Sequence, residues 1–259
     1  MVGRAAALLA LGTALALYYA FHDRLWNAST WWDIAFIALV LIPACFALVW
    51  LALPLRNMRG LLGVGLAFGV LAFLFHVAGW NTPENFCKLF GVTAVGFWFL
   101  RYFETLNWVV LVALIIPWVD AYSVWRGPTK VIVDEHRNVF TNFSFAFAIP
   151  GETSAANLGL PDLLFFALFL AAADRWRLRV GWTWLAMTIS LGATMWLAVG
   201  WGVAGIPALP GIAFGFLIPN ADLLWREYQR WRRDRPSNTL LQGQDGEQNG
   251  SGSREAARK

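Results

Sequence analysis

Residues Thr105 to Trp125 read TLNWVVLVALIIPWVDAYSVW, an apolar run of membrane-spanning length that holds one carboxylate, Asp120. An ionisable side chain in hydrocarbon costs about 3 kcal/mol on insertion scales, so such a residue marks a functional site once a partner can be named for it. The rest of the chain decides whether the run crosses a membrane and where the partner lies.

The whole chain resembles this stretch. Of its 259 residues 58% are hydrophobic, 16 are Trp and 20 are Phe, while charged residues make up only 14%, against about 25% in globular proteins. The apolar residues fall into eight blocks, at 5–21, 34–53, 60–79, 85–101, 105–125, 158–173, 182–200 and 206–224. Blocks of roughly 17–25 residues match a bilayer core. The expected fold is an all-α polytopic membrane protein of about eight helices. A soluble α/β chain would show shorter runs with polar alternation. The first block follows Arg4, runs from Ala5 to Phe21, and is followed by no small-residue cleavage pattern. It reads as a retained helix, with Tyr18, Tyr19 and Phe21 as a belt at its end. Gly60, Gly63, Gly65 and Gly69 in the third block predict close helix packing.

Orientation follows from Lys and Arg in the short connections. One side carries Arg4, Arg56, Arg59, Arg101, Arg175, Arg177, Arg179 and the run Arg226 to Arg235; the other carries Arg24, Lys88, Arg126, Lys130 and Arg137. Both termini are therefore expected to be cytoplasmic, with the long connection 126–157 outside. This topology accounts for the basic residues at block ends and for the +4 net charge, and argues against a nucleic-acid partner. The basic segment from Arg226 reads first as a topology anchor and second as a candidate to rest on anionic lipid. Residues from about Pro236 to Lys259 have a disordered composition. The chain divides into an N-terminal four-helix region (residues 1–104), a second transmembrane region (residues 105–225) that holds both aspartates, and a tail (residues 226–259).

The long connection is not uniformly polar. Phe143, Phe145 and Phe147 alternate with Asn142, Ser144 and Ala146, a period of two that with Val139 and Ile149 predicts a short strand. Pro150-Gly151 marks a turn. The strand pairs within the connection or accepts a strand from another chain.

Span five runs outward and carries Asp120 five residues before Trp125, about 7 Å below its end at helical rise. Span six returns from that side through Leu158-Gly159-Leu160-Pro161-Asp162, so Asp162 lies at nearly the same depth. Span eight enters there too, through Gly205-Ile206-Pro207-Ala208-Leu209-Pro210-Gly211, where prolines and glycines predict a broken helix end. Two carboxyl groups held close out of water share a proton, because two adjacent negative charges are costly there. One can then serve as general base on water while the other polarises a carbonyl. A proton-coupled transport pair and structural hydrogen bonding are the other readings of the same residues. Asp33 and Asp222 read as helix-terminal and interfacial acids. His22, His76 and His136 are scattered, Cys45 and Cys87 have no metal spacing, and neither a metal nor a cofactor is expected.

These motifs resemble the intramembrane aspartyl proteases, the family that includes presenilin and signal peptide peptidase. That family carries an aromatic residue and Asp in one helix, Gly-x-Gly-Asp in the next and Pro-Ala-Leu in the last. Asp120, followed by Ser123-Val124, Gly127-Pro128, Lys130 and Val133, is similar to the first motif. Gly159 and Asp162 are similar to the second, and Pro207-Ala208-Leu209 to the third. The resemblance covers about 105–225 and implies a divergent, prokaryotic-type member with a presenilin-like helix arrangement, in a plasma membrane. It implies an aspartic endopeptidase cleaving transmembrane helices, with Asp120 and Asp162 catalytic. Gly159, Pro207, Ala208, Leu209 and Phe145 would hold the substrate, with the Phe143–Ile149 strand pairing with it once unwound. The charge pattern matches the signal peptide peptidase orientation, which implies substrates with an extracytoplasmic C-terminus. Val119 stands where the family has Tyr, and Pro161 where it has Gly. These departures leave an inactive scaffold of the same fold as an alternative, beside the transporter.

Overall fold

The computed structural model describes residues 2–126, 142–201 and 206–233. Readings that fall on Gly127-Pro128, Lys130, Val133, the Val139 end of the strand, His136, Gly205 and the tail beyond Arg233 lie outside the described residues. The chain falls into two units, Met1–Asn220 and Ala221–Lys259.

Helix α1 spans Val2–Phe21, rich in Ala and Leu, the best helix formers. The next rod covers Thr30–Asn57. It comprises α2 (Thr30–Phe36), one wide π turn (Ile37–Leu41) and α3 (Ile42–Ala52). The wide turn stands immediately before Pro43, whose ring and missing N–H disrupt the preceding turn of an ordinary helix. A left-handed Gly60 (φ 83°) then starts α4, Leu61–Val77. Helix α5 covers Asn81–Phe99, and a 3-10 turn, Leu100–Tyr102, leads into α6, Leu106–Arg126. Strands β1 (Ser144–Ala148) and β2 (Ala155–Gly159) follow, then α7 (Leu160–Arg175), α8 (Val180–Gly200) and α9 (Leu209–Arg233). Counting Thr30–Asn57 as one, the described residues hold eight helical rods.

Four segments are long and apolar enough to cross a membrane: Gly3–Arg24, Thr30–Asn57, Leu106–Val124 and Val180–Gly200. Their outer faces are apolar as well. On α4 Leu66, Val70, Phe73 and Val77 are exposed, and on α6 Leu114, Ile115, Trp118 and Val119. An apolar exterior of this extent is foreign to a soluble monomer.

Helix α7 is the core of unit one. Every residue from Phe166 to Ala173 is 0% exposed, as expected of a helix apolar on all sides. It packs on α5, α8 and α6. The contact with α5 is close because Gly96 has no side chain: a Cβ there would lie 2.9 Å from the Leu164 carbonyl. The expected close packing of span three holds at Gly65, whose added Cβ would strike Val95 at 2.7 Å, whereas Gly60 and Gly63 face open space. Residues 158 and 159, expected in the sixth span, belong to β2. Helix α7 starts at Leu160 because Pro161 suits the first helical turn, where its missing N–H would have no partner anyway.

The expected strand forms and pairs within its own connection. β1 runs antiparallel to β2, with Phe145 opposite Leu158 and Ala146 opposite Asn157. Its outer edge is filled by side chains. The Asn85 amide donates to the Ala146 carbonyl at 2.7 Å, and its Oδ1 accepts the Ala146 N–H at 2.8 Å. Tyr19 and Tyr18 donate their hydroxyls to the carbonyls of Ala146 and Ala148, both at 2.8 Å. These tyrosines, read as belt residues, instead anchor the hairpin. The turn at Gly151 (φ 72°) is tucked against Trp26 and Asn27, so closely that a Cβ would lie 2.7 Å from the Asn27 nitrogen.

In the second unit the described helix carries an exposed Asp222, and Glu227 pairs with Arg230 at 3.7 Å.

Candidate functional site

Three chain segments converge at one end of unit one. The first is the last third of α6. Pro117 lies inside this helix and breaks its hydrogen-bond ladder one turn before Asp120. Asp120 is half-buried, while Trp118, Val119 and Tyr122 around it point outward.

The second is the start of α9. The opening N–H groups of a helix lack intrahelical partners, and Pro210 has none to offer. The Leu209 N–H is thus an unspent donor, and it donates to Asp120 Oδ2 at 3.1 Å. Ala208 and Leu209 are buried and Pro207 is half-buried. The expected break in span eight lies before Leu209, three residues later than the span boundary drawn from hydropathy.

The third is the strand-to-helix joint between β2 and α7. Asp162 is the third residue of α7, and its carboxyl group accepts the backbone N–H of Gly159. Glycine at 159 leaves room for this carboxyl group, since a Cβ there would sit 3.2 Å from Asp162 Oδ2 and push it by a few tenths of an ångström. Asp162 is partly buried and lies close enough to Asp120 for the two charges to interact. Pro161 is exposed on the first turn, where it supports the helix rather than breaking it.

Asp120, Asp162, Gly159 and Leu209 are thus assembled from stretches of the chain far apart in sequence. Phe145 is placed elsewhere. It is 0% exposed, with its ring 6.4 Å from Tyr19 and 5.0 Å from Phe147, so its side chain belongs to the core. Its backbone still contributes to the hairpin.

The hairpin's hydrogen-bond phase adds a residue set that sequence reasoning missed. Phe143 accepts the Leu160 N–H, so odd-numbered β1 residues face β2. Ala146 and Ala148 face away, and their opposite residues on β2, Asn157 and Ala155, must do the same in an antiparallel ladder. The outer edge of β2 therefore presents the backbone of Ala155 and Asn157 and leads directly to Gly159 and Asp162. No residue pattern signalled this, because the phase depends on Asn85 and the tyrosines contacting β1.

Asp33 is buried in the first turn of α2, as a helix-terminal acid, with Oδ1 lacking a hydrogen-bond partner among the described residues. His22 bonds the Tyr19 carbonyl, and His76 and Lys88 both contact Glu84. Cys45 and Cys87 are free and buried. Among the described residues no group of three or more His, Cys, Asp or Glu side chains gathers as a metal site would.

No family model, curated protein or solved structure matches this chain.

Proposed function

We propose that the chain is an intramembrane aspartyl endopeptidase with Asp120 and Asp162 as its catalytic pair. The observation that carries this reading is the hydrogen bond from Leu209 to Asp120, with Asp162 in electrostatic range of the same carboxyl group. It ties together the three motifs on which the family resemblance stands. Two neighbouring carboxyl groups that share one proton supply both a base for water and an acid for the peptide carbonyl.

The substrate in this reading is a transmembrane helix. The apolar outer face of α6 at Trp118, Val119 and Tyr122 offers a lateral approach from lipid. An unwound segment would add to the outer edge of β2, whose backbone runs towards Asp162, in the manner of strand addition. Eight membrane crossings with both termini cytoplasmic, in a prokaryotic plasma membrane, complete the proposal. The basic residues of α9 would lie on anionic lipid.

A structural reading has one observation in its favour. Asp162 bonding Gly159 is the backward half of a helix capping box, a role that needs no chemistry. Reconstitution with a reporter transmembrane substrate separates the two. Asp120→Asn and Asp162→Asn should each abolish cleavage at unchanged expression. Cleavage retained in either variant removes the dyad and leaves the cap. Proton flux into liposomes without cleavage would favour the transporter.

A further inference from the structure

Four arginines from four helix ends meet around one cavity, remote from the aspartates. Arg56 closes the Thr30–Asn57 rod, Arg59 precedes α4, Arg101 follows α5 and Arg175 ends α7. With Phe97 and Leu100 they line a space of about 380 Å³. Arg175 lies thirteen residues beyond Asp162 on the same helix, about 20 Å away at helical rise.

The cations are oriented, and among the described residues only Arg56 has a carboxylate partner, Asp174. Arg101 and Arg175 donate to the carbonyls of Met58 and Leu100, and Arg175 stacks 4.7 Å over Trp176. Arg59 is exposed and makes no ion pair among the described residues. Arg56 and Arg175 are near enough to repel each other, and the Arg56 Nε is buried with no hydrogen-bond partner among the described residues. A buried N–H without an acceptor is costly, and so is unbalanced charge of one sign. The charge imbalance is relieved by an anion with several acceptor oxygens.

We propose that this cavity binds the phosphate-bearing headgroup of an anionic membrane lipid. Guanidinium forks match phosphate oxygens in pairs. Phe97 and Leu100 supply an apolar wall for the start of an acyl chain. The arginines also sit where apolar helices end, the level at which basic pockets between helices take lipid headgroups. The inference rests on the helices crossing a membrane and is independent of the protease reading.

The test uses the full chain in a neutral detergent. Thermal melting is followed on titration with phosphatidylglycerol, phosphatidylcholine or inorganic phosphate. Wild type is compared with Arg59→Gln, Arg59→Gln/Arg175→Gln, and Arg24→Gln as a charge-loss control at an exposed arginine outside the cavity. Phosphatidylglycerol should raise the melting temperature of wild type and Arg24→Gln, and phosphatidylcholine should not. Apparent affinity should fall roughly fivefold for each cavity arginine removed. If the double variant melts early without lipid, Arg59→Gln alone decides, because Arg59 makes no ion pair whose loss would weaken the fold. An equal response in wild type and Arg59→Gln overturns the proposal, as does phosphatidylcholine matching phosphatidylglycerol. Inorganic phosphate at millimolar concentration giving the full effect overturns the lipid as its source. Carbonate washing of native membranes checks the membrane reading separately.

Discussion

The backbone N–H of Leu209 donates to Oδ2 of Asp120, joining residues 89 positions apart at 3.1 Å. The donor exists because helix α9 begins there and its first N–H groups have no partner inside the helix. The acceptor is a carboxylate placed one turn past Pro117 on a different helix. One bond therefore locks the start of α9 onto α6.

Asparagine at 120 retains an oxygen that can accept the Leu209 N–H. Asp120→Asn is expected to change stability by only about 1 kcal/mol, the difference between a charged and a neutral acceptor. Under the proposed protease function, cleavage of a reporter substrate should drop by about 10²–10⁴, the usual scale for losing an acid–base group. Leu209→Pro removes the donor and keeps both carboxyl groups. It should lower both melting temperature and cleavage, and wild-type cleavage by this variant would deny the bond a role in the chemistry.

The phase of the hairpin sets up a paired test of strand addition. Ala155 points its N–H away from β1, so Ala155→Pro is expected to preserve the hairpin while blocking the outer edge. Ala156 pairs inward with Phe147, so Ala156→Pro should damage the hairpin itself. Cleavage assays combined with limited proteolysis distinguish the two. Full cleavage by Ala155→Pro would mean that substrate does not use this edge.

Asn85 completes the opposite edge by offering donor and acceptor to Ala146 at once. Asn85→Leu leaves the Ala146 N–H buried and unpaired, at about 1–3 kcal/mol, while the Ala146 carbonyl keeps the Tyr19 hydroxyl. Thermal melting should register that loss, and protease access to residues 144–159 should rise. Asn85→Asp keeps the acceptor alone and should fall between the two.

Helix contacts at glycine give a contrast in stability. A Cβ at Gly215 would lie 2.6 Å from the Met187 backbone nitrogen, whereas one at Gly63 meets nothing within 4 Å. Gly215→Ala should therefore destabilise by about 1–3 kcal/mol through forced separation of α8 and α9. Gly63→Ala should be neutral or stabilising by up to about 1 kcal/mol, since alanine favours a helix interior. Similar melting temperatures for the two variants would contradict the close approach at Gly215.

Much of this was legible in the chain alone. Long apolar blocks impose helices, because a buried backbone must satisfy its own hydrogen bonds. Pro207 and Pro210 announced the broken start of α9, whereas the wide turn before Pro43 and the helix start at Pro161 came from the structure. The Asp120, Asp162 and Pro207-Ala208-Leu209 positions stood out because polar and helix-breaking residues are costly inside apolar runs. The alternation around Phe145 announced a strand.

Tertiary contacts decided the rest. Nothing in the order of residues says that Tyr18, Tyr19 and Asn85 would spend their polar groups on β1, which sends Phe145 into the core and leaves the edge of β2 open. Nor does hydropathy tell that Gly65 rather than Gly63 meets a neighbour, or that four arginines assigned to one side would share a single cavity. Local sequence determines where helices and strands begin, through propensity and missing donors. Which side chain reaches which distant backbone group depends on how the helices pack, and that pairing turned Asp120 from an isolated charge into one held by Leu209.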